Sequence, residues 1–384
     1  MNNTDIENLS KDELENRLVE LEDSANRYFN YEQSVKRILN SIYGAFGNQW
    51  FYFFNIDIAE SITLQGQDAI LYSEKMLNIY ITDFWHKDIE THKKMGITVT
   101  GKCKKPGVIY IDTDSCYVTF AELIDNSDWS GEPKEFIKQL HDIRLKDYLE
   151  KVMTKYAEVQ DAPNFLSFEM ESIAHNAIWL AKKKYIQNIV WTDPDLHFDK
   201  LSKIKTKGFE IIQSSTPLFA RNKLKDALSL FFAQDKPELA PIVNFLKEAK
   251  KEFQLANKED ITFSLKTNNY DKYIVEDYNQ LEFLKGCPIN VRAAGHHNYL
   301  LNNSKYKGKY DLIGNGEKLK MYHCKDNLCN VFSFSPGNHP YEFAPEVDYE
   351  LQFEKCMIDP LNRVISAIGL QTLDRNLVYS ATLF

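Results

Sequence analysis

The sequence lacks any long apolar run. No stretch approaches the length of a membrane span, and the Asn-, Asp- and Glu-rich start has no signal-peptide character, so a soluble, cytoplasmic protein with no membrane partner is expected. Cysteine is sparse. The six residues, Cys103, Cys116, Cys287, Cys324, Cys329 and Cys356, are scattered rather than set at framework spacing, and reduced thiols follow. His323-Cys324, with Cys329 and His339 beyond, matches none of the usual zinc-ligand pairs. An excess of positive charge is also missing: the net charge of −9 argues against a chain coated in basic residues for non-specific nucleic-acid binding, while leaving room for a basic groove. There is no internal repeat and no low-complexity tract. What remains is a chain of 384 residues, 43% hydrophobic, long enough for two or three domains with cores of their own.

Residues 6–46 carry Leu9, Leu14, Leu18, Leu21 and Ala25 at helical spacing, with Ser10-x-x-Glu13 as a capping box. They predict one long helix, or two joined by a break near Asn30. A second helix is expected over about Ile58 to Asp83, then a strand-turn-strand around Asp112, helix over 133–159, and short strands from Phe165 to Trp191. Beyond Ser214 the character changes. Pro217 opens a helix, another fills about Pro237 to Leu255, and the remainder is mixed, so a domain boundary is placed near Ser214.

Two segments carry chemistry. In Lys36-Arg37-Ile38-Leu39-Asn40-Ser41-Ile42-Tyr43-Gly44, a helix at roughly 100° per residue brings Lys36, Asn40 and Tyr43 within about 60° of one another. Ile38, Leu39, Ile42, Ala45 and Phe46 occupy the opposite, packing side. An ammonium suits a triphosphate, and Tyr43 suits a sugar or base edge; an ordinary amphipathic helix is the plainer reading. The second segment runs from Gly107 to Phe120. Its β-branched and aromatic flanks enclose the turn formers Asp112-Thr113-Asp114-Ser115, a hairpin expected to push both carboxylates to an exposed tip. Carboxylate oxygens are the preferred ligands of Mg²⁺ in two-metal phosphoryl transfer, and a solvated acidic turn is the alternative.

Basic residues cluster at Lys36-Arg37, Lys102 to Lys105, Lys182-Lys183-Lys184 and Lys203 to Lys207. Such runs are commonly solvated faces; beside the two motifs they gain weight as phosphate contacts. In a strand Lys182 and Lys184 point one way and Lys183 the other, and Glu169 and Glu171 share one strand face.

Taken in order, K-x-x-x-N-S-x-Y-G and the D-T-D-S hairpin resemble the nucleotide-binding helix and metal-binding hairpin of family B DNA polymerases, most closely the replicative enzymes of T-even phages. Trp179 to Tyr185 resembles that family's Lys-Lys-Arg-Tyr segment, with Lys184 in place of arginine. Lys207-Gly208 to Pro217, then Cys287 to Arg292, and finally Phe353 to Leu361, resemble the pattern through its thumb. The family's Asp-x-x-Ser-Leu-Tyr-Pro motif, which supplies its other catalytic aspartate, does not occur.

The resemblance implies an α+β right-hand architecture: half of the fingers over 1–50, the palm over 51–213, and a mainly helical thumb over 214–384. It implies catalytic roles for Asp112, Asp114 and Glu171, with Asp114 as the ligand that touches both metals, Asp112 as a more peripheral ligand, and Glu171 in a supporting role only. Lys36, Asn40 and Tyr43 would meet the dNTP. Lys182, Lys183, Lys184, Tyr185, Lys207, Gly208, Ser214, Ser215 and Arg292 would hold primer–template DNA, and Leu383 and Phe384 a sliding clamp. Two Mg²⁺ ions would be shared with an N-terminal polymerase and exonuclease subunit, in an enzyme split at the fingers and working in a bacterial cytoplasm during phage infection. The chain is expected to be inactive alone. Two alternatives are a non-catalytic DNA- and clamp-binding subunit and a nucleotide-sugar transferase; the second needs a sugar-nucleotide domain ahead of its Asp-x-Asp.

Overall fold

The computed structural model describes residues 10–192, 203–210, 213–234, 238–277, 280–326 and 328–374, with Asn376 and Val378. Leu383 and Phe384 lie outside the described residues. The chain divides into two compact units, one ending at Glu169 and one beginning at Met170.

The first unit is mostly helical. Helix α1, Lys11–Phe46, is capped as expected: the Glu13 amide donates to Ser10 Oγ at 3.4 Å, and the Ser10 amide returns a bond to Glu13 Oε2 at 2.8 Å. It passes Asn30 unbroken. The hydroxyls of Ser34 and Ser41 donate to carbonyls four residues back, so these polar groups are satisfied inside the helix. None of the described α1 residues is buried, and Ile38 and Leu39 are 63% and 61% exposed. The apolar side expected to pack is therefore uncovered within this unit.

Helix α2, Ile56–Ile79, begins under an Asn55 side-chain cap and runs into a π-helical turn, Tyr80–Phe84. The wider turn carries Tyr80 and Ile81, and then Trp85, into the unit's core with Phe136, Leu140 and Leu145. Helix α3, Ile89–Met95, precedes the hairpin of β1, Val108–Asp112, and β2, Ser115–Val118. After short α4, Ala121–Asp125, come α5, Pro133–Leu140, and α6, Lys146–Val159, joined through a second π-turn, His141–Leu145. The two π-turns meet at Asp88, where Oδ2 accepts the Tyr80 hydroxyl at 3.0 Å and lies 2.8 Å from Arg144 Nε. Burial and the Asp88 carboxylate push the Tyr80 phenol well above its ordinary range, so the bond is donated by a neutral hydroxyl.

The second unit opens with an antiparallel sheet in the order β3, Ser172–Ala181; β4, Lys184–Thr192; β5, Lys203–Lys207. Its register pairs Ile178 with Ile186 and Asn188 with Ile204, so Ile186 and Ile204 enter the core built with α7, Leu218–Phe232, and α8, Leu239–Leu255. A second three-stranded sheet, β6, Phe263–Lys266, beside β9, Lys318–His323, beside β10, Val331–Phe334, lies under α10, Ile289–Asn302. Short α9, Tyr270–Tyr273, leads into the ribbon β7, Ile274–Asp277, and β8, Gln280–Phe283. The closing helices are α11, Tyr349–Phe353, and α12, Asp359–Ala367.

Two expectations about strands need correction. Residues 165–171 form no strand: β3 begins at Ser172, so Glu169 and Glu171 share no strand face, and Phe168 packs instead against the α6 cluster of Val152, Met153 and Tyr156. Lys182 and Lys183 are also outside the strands. Ala181 pairs with Lys184, which closes the hairpin and leaves those two lysines as its turn, Lys183 at φ +59°.

Buried histidines give this unit a defined acid limit. His339, 6% exposed, sits between the rings of Tyr322, Phe334 and Tyr341, and burial, with Lys258 adding to it, holds its pKa down to about 4. Burial lowers His297 and His323 as well. A depressed folded-state pKa means that the unfolded chain takes up protons first. Stability is therefore full above the unfolded value of about 6.5 and falls as the pH drops from there toward the folded value. Denaturant midpoints measured across that window should decline, and His339→Phe should flatten the decline; an equal slope in the variant would assign the acid sensitivity to other groups.

Candidate functional site

The hairpin holds the most distinctive geometry. Asp112 pairs with Ser115 across the turn, and the Asp114 amide donates to Asp112 O at 2.7 Å, closing a three-residue turn around Thr113. Thr113 has φ +61°, a left-handed conformation that a β-branched residue adopts at a cost of about 1–3 kcal/mol. Residue Asp114 is exposed at this turn, its Oδ1 near the Ser115 hydroxyl at 3.3 Å. Asp112 is not at an exposed tip as expected: it is 7% exposed, and its Oδ1 accepts the Thr113 hydroxyl at 3.1 Å. Side chains alternate along a strand, and the last β1 position falls on the packed side.

Helix α2 fixes the hairpin's base. Asn78 Oδ1 accepts the Val108 amide at 2.9 Å, and a Cβ at Gly107 would lie 2.1 Å from Ile81 Cδ1, so a side chain there would force the buried Ile81 methyl aside. Burial, and next the Glu74 carboxylate, raise the Cys116 thiol to about 11, leaving a neutral thiol beneath the turn. Asn78 and Glu74 were not singled out from sequence. An amide and an acid inside an amphipathic helix carry no signal until the neighbouring strand is known.

Lys36, Asn40 and Tyr43 lie on the exposed final turns of α1. Lys36 Nζ is 2.7 Å from Glu32 Oε1 one turn earlier, a solvent-exposed pair of little energetic weight. The end of α1 is tied to the start of α2, the Asn55 amide donating to Phe46 O at 3.0 Å, and α2 leads on to the hairpin. The first unit thus holds Lys36, Asn40 and Tyr43 and both hairpin aspartates.

The second unit holds two of the basic clusters, around Lys182–Lys184 and Lys207. Tyr185 pairs with Lys207 across β4 and β5, which brings Lys207 and Gly208 beside the Lys182-Lys183 turn. Gly208 has φ +65°, and a Cβ there would meet Lys183 O at 2.3 Å. Lys182, Lys183, Lys184 and Lys207 are exposed around it, while Tyr185 is buried. The next segment is held to the same corner by Gln213, whose Nε2 donates to Gly208 O at 3.4 Å. Ser214 is exposed; Ser215 O accepts the Ser264 amide of β6 at 2.9 Å. The other end of β6 accepts Asn290 Nδ2 on Lys266 O at 2.7 Å, at the start of the helix that carries Arg292. Arg292 Nε is buried with no hydrogen-bond partner among the described residues. Glu171, exposed ahead of β3, belongs to this unit and the hairpin aspartates to the other.

Gly208→Ala tests this corner directly. An alanine must hold a left-handed φ, costing about 1–2 kcal/mol, and must displace a backbone carbonyl besides. A loss of about 2 kcal/mol or more is expected in urea denaturation. Wild-type stability would mean that the turn relaxes freely.

Comparison with known proteins follows the same residues. A family model described as DNA polymerase family B matches residues 10–285. The DNA-directed DNA polymerase of Escherichia phage RB69 is 26% identical over 364 residues, covering 87% of this chain and 36% of that protein. That of Enterobacteria phage T4 is 22% identical over 303 residues, covering 75% and 31% respectively. A DNA polymerase of Pyrococcus glycovorans is 22% identical over 265 residues, 69% of this chain and 26% of that one. The chain therefore spans about a third or less of each of these relatives' lengths. With the match running from the cap of α1 through both motifs and past the basic corner, the chain belongs to DNA polymerase family B.

Proposed function

We propose that this chain supplies half of the fingers (1–50), most of the palm (51–213) and the thumb (214–384) of a phage-type family B DNA polymerase, and that it carries out template-directed nucleotidyl transfer jointly with an N-terminal polymerase and exonuclease subunit. The observation that carries this reading is the strained turn presenting Asp114 above a buried Asp112, in a chain where the family's Asp-x-x-Ser-Leu-Tyr-Pro motif does not occur. The uncovered apolar side of α1 supports a second polypeptide.

Asp114 and Asp112 would hold Mg²⁺. All-oxygen donors fit that ion, and two carboxylates make up only part of a six-coordinate shell, the remainder being left to the partner's aspartate, substrate phosphates and water. When bound, the metal would supply activation of the primer 3′-hydroxyl and neutralisation of the leaving pyrophosphate. The chain's own residues position the reactants. Lys36 would neutralise triphosphate charge, Asn40 would hydrogen-bond to it, and Tyr43 would lie against the nascent base pair. Lys182, Lys183, Lys184, Tyr185, Lys207 and Gly208 would fix the primer end. Ser214, Ser215 and Arg292 would hold duplex phosphates without reading bases. Glu171 would support the metal site without holding the ions, and Leu383 with Phe384 would engage a sliding clamp.

Primer extension with Mg²⁺ tests the reading, using the chain by itself and then mixed with an N-terminal polymerase portion from the same genome. Incorporation only in the mixture is expected. Robust extension by the chain by itself would refute the shared site, and a mixture that binds DNA without extending it would favour the non-catalytic DNA- and clamp-binding alternative.

A further inference from the structure

Between β9 and β10 the chain turns back on itself, the Cys324 amide donating to Asn330 O at 3.0 Å. Asp326 organises it. Its Oδ1 accepts the amides of Leu328, Cys329 and Asn330 at 2.7, 3.0 and 3.4 Å. That leaves Oδ2 facing inward, 2.8 Å from Cys324 Sγ and 3.7 Å from Nδ1 of His296 on α10. One ligand atom from each of the three residues lies within 4.8 Å of the others, and His296 and Cys324 are 1% and 2% exposed. The sequence spacing gave no hint of this grouping. His323 is occupied by Gln352 Oε1 at 2.9 Å and His339 by its ring cage, so the cysteine's companions come from α10 and from the loop itself.

We propose that His296, Cys324 and Asp326 form a site for a borderline-soft divalent cation of the Zn²⁺ class, with water as the fourth ligand; Cys329, whose thiol donates to Val331 O at 3.0 Å, stands outside the group. One nitrogen, one sulfur and one oxygen are ligands that Zn²⁺ takes and that Mg²⁺ does not favour. Zinc bonds of about 2.0–2.3 Å place tetrahedral ligand atoms roughly 3.3–3.8 Å apart. The His296 to Asp326 separation already fits, whereas the Sγ to Oδ2 contact is a hydrogen bond that must open slightly. In the metal-free site the Cys324 thiol keeps its proton and donates it to Asp326 Oδ2. Binding releases that proton to solvent and tightens as the pH rises. His296 Nδ1 also contacts Val331 O at 2.7 Å and exchanges that carbonyl for the ion. The ion would cross-link α10 to the β9–β10 connection, far along the chain from the D-T-D-S hairpin, and the proposal stands whether or not the polymerase reading does.

The test uses the full chain stripped with a chelator and titrated with Co²⁺ as an optical probe, then with Zn²⁺. One equivalent of Co²⁺ should give a thiolate-to-metal charge-transfer band that Zn²⁺ abolishes, and Zn²⁺ should raise the melting temperature. The hairpin's own thiol, Cys116, is separated from this site by the next variant. Cys324→Ser should remove the band. Asp326→Asn keeps the Oδ1 acceptor that shapes the loop and should weaken binding about tenfold or more, with an unchanged circular dichroism spectrum. The proposal is overturned by absence of the band in the wild-type chain, or by wild-type Co²⁺ affinity in Asp326→Asn, which would place the thiolate site elsewhere.

Discussion

An Asp114→Ala chain, combined with its N-terminal portion, should bind primer–template with wild-type affinity and incorporate nucleotide more slowly by about three orders of magnitude, ~4 kcal/mol of lost transition-state stabilisation. The expectation follows from exposure. Asp114 stands at the turn with the Ser115 hydroxyl as its neighbour at 3.3 Å, so its removal leaves no cavity and costs the fold little. Asp112→Ala should behave differently. Asp112 is buried beneath the turn and anchors the Thr113 hydroxyl, so its truncation should lose incorporation and also about 1–2 kcal/mol of stability. Single-turnover incorporation, fluorescence anisotropy with labelled primer–template, and denaturation separate the two. Incorporation by Asp114→Ala within a few-fold of wild type would sink the catalytic assignment, because a DNA- and clamp-binding subunit has no use for that carboxylate.

The contrast between these aspartates marks where sequence stopped being informative. Turn formers between β-branched flanks made the hairpin legible, and Ser10-x-x-Glu13 made the start of α1 legible, because both are local chemistry repeated in local geometry. Which aspartate would be buried was not legible. Exposure of Asp112 depends on how β1 lies on α2, and that is set by Asn78 and by the clearance at Gly107, thirty or so residues apart in the chain. The same holds in the second unit. Three consecutive lysines read as strand by β-flanking residues, yet the pairing of Ala181 with Lys184 makes two of them a turn. Gly208, unremarkable as a letter, proves to be the residue whose missing side chain lets that turn and the end of β5 approach.

Helix α1 provides the last and most discriminating expectation. Its periodicity predicts one packed and one exposed face, yet Ile38, Leu39 and Ile42 on the apolar side are 63%, 61% and 48% exposed, among the described residues only the end at Phe46 touches another ring, Phe51, and Trp50, Tyr52, Phe53 and Phe54 are exposed just beyond it. A 36-residue helix with that much apolar surface in water is marginal on its own account. Covering it with an N-terminal subunit would return about 1.5–3 kcal/mol for each isoleucine fully buried. Ile38→Glu with Ile42→Glu, one turn apart on that face, should therefore weaken association by on the order of 10²–10⁴-fold. The isolated chain should keep its stability within about 0.5 kcal/mol, because neither side chain belongs to a core. Lys36→Ala, on the other face, should leave association intact and raise the KM for dNTP instead. Calorimetric titration with the N-terminal portion, beside steady-state kinetics of the mixture, reads both. Unchanged affinity in the double variant would mean that the uncovered face is not where the second polypeptide docks, whereas loss of the isolated chain's own stability would show the face already packed within it.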